Sequence, residues 1–133
     1  MRSKMLIALA VLAAALAVAS TAAAGMMHPV LGARLSGMGH HGIVNFRSHA
    51  KQGKLCWKFE VHVMGIKQAT IRDAHGMVVA RLGKKYRAKA CAKVTKKALR
   101  LIEAKPRRYR VWIATKGHPG ELRGKLFAGM AHM

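Results

Sequence analysis

Acidic residues are what this chain has least of: four Asp and Glu stand against 25 Lys and Arg in 133 residues, a formal net charge of +21 with histidine neutral. The four are Glu60, Asp73, Glu103 and Glu121, far apart in sequence. Acid–base catalysis by paired carboxylates and binding of hard cations by clustered oxygens both need acids held together, so the scarcity points away from both. Only two cysteines are present, so at most one disulfide pairing exists. No Gly-rich phosphate loop and no Ser-His-Asp arrangement appears, so no enzyme is expected. Aromatic residues make up 5% of the chain, and only Tyr86, Tyr109 and Trp112 interleave with its basic runs. A surface built to stack bases is therefore not expected.

The one long apolar run, Met5 to Val18, follows Arg2 and Lys4 and leads into small residues from Ala19 to Gly25. It is shorter than the ~20 residues that cross hydrocarbon, so residues 1–24 read as a secretory signal peptide rather than a retained span. Cleavage falls before Gly25 or before Met26. Residues 1–24 carry Arg2, Lys4 and no acid, so the exported chain keeps +19. In an oxidising compartment Cys56 and Cys91 have one possible pairing, closing a loop for which chain entropy gives roughly 4 kcal/mol. The alternative is two buried free thiols.

Gly, Met and His dominate the start of the exported chain. Residues 25–34 read as a mobile His/Met-rich arm, although Leu31 to Leu35 looks strand-like. Ile43 to Arg47 alternates, and Lys54 to Met64 is the clearest strand, with Leu55, Trp57, Phe59, Val61 and Val63 on one face. That places Cys56 on the other face, so it reaches Cys91 only at a sheet edge or corner. Ala69 to Asp73, Met77 to Leu82 and Tyr86 to Val94 suit further short strands. Thr95 is an N-cap for a helix over Lys96 to Ala104 with Ala98, Leu99, Leu101 and Ile102 as its apolar stripe, stopped by Pro106. In the next strand Tyr109, Val111 and Ile113 point one way, and Arg110, Trp112 and Ala114 the other. A Pro119-Gly120 turn then delivers a strand with Leu122, Gly124 and Leu126 on one face and Arg123 and Lys125 on the other. About eight short strands and one short helix without a βαβ rhythm predict an all-β fold, an antiparallel Greek-key β-sandwich, over residues 35–127. Residues 128–133 read as a frayed tail.

Taken in order, Leu55-Cys56-Trp57, a lone Cys91, a short helix ending at Pro106, the strand Tyr109-Arg110-Val111-Trp112-Ile113 and His118 to Leu126 resemble the CHRD domain. This module is named after chordin and also occurs in secreted microbial proteins; the resemblance runs from about Leu35 to Leu126. It implies an extracytoplasmic, non-enzymatic binding or scaffolding module. Cysteines at these two positions are common in the family, which favours the bridge. Microbial members carry Ala-His-Ile-His at the start of their middle loop, where this chain reads Arg72-Asp73-Ala74-His75. His75 matches the second histidine, while Asp73 replaces the first, so a site needing both is altered. Asp73 reads instead as half of an ordinary ion pair, with Arg72, His75 or Arg123 as its partner and Arg123 taken as the structural one.

Charge supplies the remaining functional signal. Lys84, Lys85, Arg87, Lys89, Lys93, Lys96, Lys97, Arg100, Lys105, Arg107, Arg108 and Arg110 crowd into one third of the sequence. Self-repulsion on this scale opposes compaction unless anions sit nearby. The expected partner is an anionic envelope polymer, a phospholipid surface or extracellular nucleic acid, with no membrane span in the exported protein. The alternative is copper or nickel binding. His28, His40, His41 and His75 are its candidate ligands, together with the Met-rich ends, because imidazole and thioether suit copper. Cleavage before Met26 would expose Met-Met-His, whose amine, amides and imidazole could wrap Cu(II) or Ni(II). No other cofactor is expected.

Overall fold

The computed structural model describes residues 29–133, with Pro119 and Gly120 described by backbone alone. The signal segment, the first part of the arm and His28 lie outside the described residues. Eight strands follow in chain order: β1 (Val30–Gly37), β2 (His40–His49), β3 (Lys54–Val61), β4 (Ile66–Arg72), β5 (Val78–Arg81), β6 (Lys89–Lys93), β7 (Arg110–Thr115) and β8 (His118–Ala128). The one α-helix among the described residues, α1 (Lys96–Ala104), lies between β6 and β7. All strand pairs are antiparallel, and hydrogen bonding runs through a single sheet in the order β5-β4-β7-β8-β1-β2-β3-β6. The all-β expectation with one short helix holds, and its two layers are halves of one sheet rolled on itself.

Backbone bonds from the β5–β6 connection draw the two edges of that sheet together. Leu82 and Tyr86 donate to Ala69 and Lys67 of β4, and Ala88 accepts from Phe59 of β3. Inside the roll, one face of each strand buries its apolar residues: Leu31, Ala33 and Leu35 from β1, Val44 and Phe46 from β2, and Leu55, Trp57 and Phe59 from β3. From the other half come Ala69, Ile71, Val111, Ile113, Leu122 and Leu126. The alternation read in the sequence is thus the inside–outside alternation of the roll. Val61 and Val63 pack only partly against the core, and β3 stops at Val61.

Helix α1 covers one end of the roll. Thr95 Oγ1 accepts from the Ala98 amide at 3.2 Å, and Leu99 and Ile102 are buried. Leu101, expected on the apolar stripe, is half exposed. Glu103 Oε2 accepts from Ser48 Oγ at 2.7 Å, tying the helix to the end of β2. The first turn carries Lys96 and Lys97 and no acid, so the helix forms against its own macrodipole, and packing must hold it.

Three expectations are corrected. The β7–β8 turn is Lys116-Gly117, not Pro119-Gly120: Thr115 pairs with His118, and Gly117 adopts the positive φ of 81° that a tight hairpin requires. Pro119 and Gly120 belong to the first residues of β8, where a missing N–H is tolerated. The arm does not extend to residue 34, because β1 begins at Val30 and is paired on both sides, by β2 and β8. Nor is the tail frayed. Ala131 is buried, its N–H donates to Asn45 Oδ1 at 2.6 Å, and its carbonyl accepts from Asn45 Nδ2 at 3.1 Å. This places the tail against the outer side of β1 so closely that a Cβ on Gly32 would meet Ala131 N at 2.6 Å and Gly129 O at 2.8 Å.

Cys56 and Cys91 are bridged, directly opposite each other on β3 and the edge strand β6. Replacing both with alanine should lower unfolding free energy by about 4 kcal/mol, the loop-closure value for 35 residues, measured by urea denaturation. Asn45→Ala should release the tail: limited proteolysis would then remove residues beyond Ala128 at a rate the wild-type chain resists.

Candidate polyanion-binding surfaces

The cations follow two outer faces and one end of the roll. On the outer face of β2, β3 and β6, Lys54 lies directly opposite Lys93, and Lys58 directly opposite Lys89. The Cys56–Cys91 bridge sits between these two pairs, and Arg47 of β2 lies opposite Cys56. Lys58, Lys89 and Lys93 are exposed. Among the described residues of these three strands Glu60 is the only acid, opposite Ile43 rather than a cation. A groove whose lining includes Arg47, His49, Cys56, Lys58, Lys89 and the acid Glu60 runs over the face, with Met130 of the tail at its side. Like charges set opposite each other across a ladder cost roughly 0.2–1 kcal/mol per pair. Here two such pairs flank a covalent link that keeps their strands together.

At the helix-covered end, Lys96, Lys97 and Arg100 project from α1, Lys105 caps its end, and Arg107 and Arg108 follow in the 3-10 turn Pro106–Arg108 that reaches β8. Beyond them, on the outer face of the other half of the sheet, Arg72 lies opposite Arg110, and Arg110 opposite Lys125. Trp112 is next along this face. The guanidinium carbon of Arg72 sits 4.3 Å from the centre of its ring, and that of Arg123 4.0 Å.

The basic third of the sequence is therefore not one face. Lys89 and Lys93 lie at opposite ends of the edge strand β6, whereas Arg110 belongs to β7, in the other half of the sheet. Lys84, Lys85 and Arg87, in the connection before β6, line a separate hollow beside Trp57. Sequence reading missed Arg47, Lys54, Lys58, Arg72 and Lys125, which strand register brings beside expected residues. Tyr86 and Tyr109 pack against the core. Burial raises the Tyr86 phenol above its usual pKa of 10.0, and its ring lies 5.4 Å from that of Phe59, so it serves the interior rather than the cationic surface.

The remaining candidates are scattered. Asp73 Oδ1 accepts from the His75 and Met77 amides in the β4–β5 turn, and Arg123 stacks on Trp112. His75 lies in that turn, past Arg72, while His40 and His41 open β2 at the far end of the sheet. The structure thus does not bring His75 together with His40 and His41. Among the described residues no group of three or more His, Cys, Asp or Glu is placed to hold a metal. His41 does share a shallow hollow with His132 and Met133, and Arg34 borders it.

No protein-family model matches the chain, and a search of curated proteins finds no match. The opposed lysines make their own prediction. Lys58→Glu turns a repulsive pair with Lys89 into an attractive one and should raise unfolding free energy by up to about 1 kcal/mol at low salt. The gain should fade as salt rises, read from urea midpoints across a sodium chloride series.

Proposed function

We propose that this chain is an exported, non-enzymatic binding or scaffolding module of the CHRD type whose basic surface holds anionic polymers. Envelope polysaccharides, anionic lipid surfaces and extracellular nucleic acid all offer the required charge. The observation that carries this reading is the register of the cations: Lys54 against Lys93, Lys58 against Lys89, and Arg72 against Arg110. A fold that tolerates like charges face to face, with four acidic side chains to offset the 23 cations left once residues 1–24 are removed, gains stability when an external anion takes a place among them.

Export is supported by the Cys56–Cys91 bridge, since oxidising compartments are where such bonds persist. No helix among the described residues is long and apolar enough to cross a membrane. The CHRD assignment is supported by the all-β fold, the bridge to an edge strand and the single helix before β7. For the copper or nickel alternative the support is the hollow of His41, His132 and Met133, where the positive charge of Arg34 opposes a metal cation. The polyanion reading is preferred on that ground.

Binding of this kind comes from summed Coulomb attraction and counterion release, so it is steeply salt-dependent. On immobilised heparin and duplex DNA the protein should be retained at low salt. Its logarithmic affinity for DNA should fall with a slope of about −0.9 per phosphate contacted. Retention no stronger than that of a neutral β-sandwich of equal size would overturn the reading.

A further inference from the structure

The two cationic faces differ in chemistry as well as position. The β2–β3–β6 face is built mainly of lysine, a compact charge with no preferred plane of approach. On the β4–β7–β8 face the cations are mostly arginines: Arg72 and Arg123 over the Trp112 indole, and Arg110 opposite Arg72, with Lys125 beside it. Resting on the polyanion reading above, we propose that this second face is a selective site for polysaccharides bearing sulfate or phosphate monoesters, whose tetrahedral centres carry three terminal oxygens.

Geometry supplies the selectivity. Arg72 is held before any ligand arrives, by Trp112 beneath it and by bonds from its Nε to Thr70 Oγ1 and its Nη1 to the Gly76 carbonyl, both at 3.2 Å. A guanidinium ordered in this way gives up little freedom on binding and still has N–H donors to offer. Arg110 lies directly across the ladder from it and is exposed. Two adjacent planar forks, with Lys125 next in the row, suit a group that presents several oxygens in different directions. A carboxylate has two oxygens in one plane and satisfies a single fork. The phosphodiesters of nucleic acid also present only two terminal oxygens, and the Trp112 ring, already engaged by guanidinium, is poorly placed to add base stacking.

The test compares four polymers at fixed salt by calorimetry: dextran sulfate, dextran phosphate, carboxymethyl dextran of matched charge density, and duplex DNA. Wild-type protein should bind at least one of the two ester polymers about tenfold more tightly than the carboxylate polymer and the DNA, and comparison of the sulfate with the phosphate shows which ester is favoured. Arg72→Gln/Arg110→Gln should abolish that ratio, and Arg110→Gln, at an exposed position, should reduce it several-fold without disturbing the fold. Lys58→Gln/Lys89→Gln should weaken all four polymers alike and leave the ratio unchanged. Tight binding with no preference for the ester polymers would overturn this inference alone, as would a preference untouched by the arginine substitutions. Failure to bind any of the four would overturn both it and the broader reading.

Discussion

With 25 lysines and arginines against four Asp and Glu, this chain can pair only a small share of its charges internally, and each structural feature has to work within that limit. Two of the acids lie close to the framework: Glu103 bonds Ser48 at the helix, and Asp73 closes a turn. Glu121 lies on β8 with its Oε2 buried and without a hydrogen-bond partner. The cations are consequently placed on outer faces and at one end, where water and dissolved anions screen them.

An apolar interior holds the molecule together against this repulsion. Its side chains come from all eight strands or their ends and from α1, so burial rather than ion pairing carries the fold. The Cys56–Cys91 bridge acts where repulsion is most direct, fastening β6 between two opposed lysine pairs. Lysines at 89 and 93 also make that edge a poor template for another chain's strand, a familiar use of charge on sheet edges. Solubility, edge protection and polymer binding thus draw on the same residues.

Most local signals in the sequence match local structure, the Pro119-Gly120 turn being the exception. Thr95 caps a helix with the expected bounds Lys96–Ala104, the alternation of Leu55, Trp57 and Phe59 reports the inner face of β3, and the two cysteines join at a sheet edge. The rest of what escapes sequence reading is non-local. Leu31 looks strand-like, yet only pairing with both β2 and β8 shows that the Gly-rich segment around it is held in the sheet. The tail looks frayed until Asn45, 86 positions away, is seen to grip Ala131. Alternation places Arg123 and Lys125 on the outer side of their strand, but strand order brings them beside Trp112 and Arg110. For the same reason a continuous basic stretch from Lys84 to Arg110 divides between the two halves of the roll.

The central claim is that unpaired positive charge limits the stability of the fold and that an anionic polymer relieves it. Unfolding free energy measured at low salt, with and without heparin, against sodium chloride of equal ionic strength, tests this most directly. The account predicts that heparin stabilises the protein well beyond the salt control, because it binds the folded face rather than only screening it. Equal stabilisation by polymer and simple salt would contradict it.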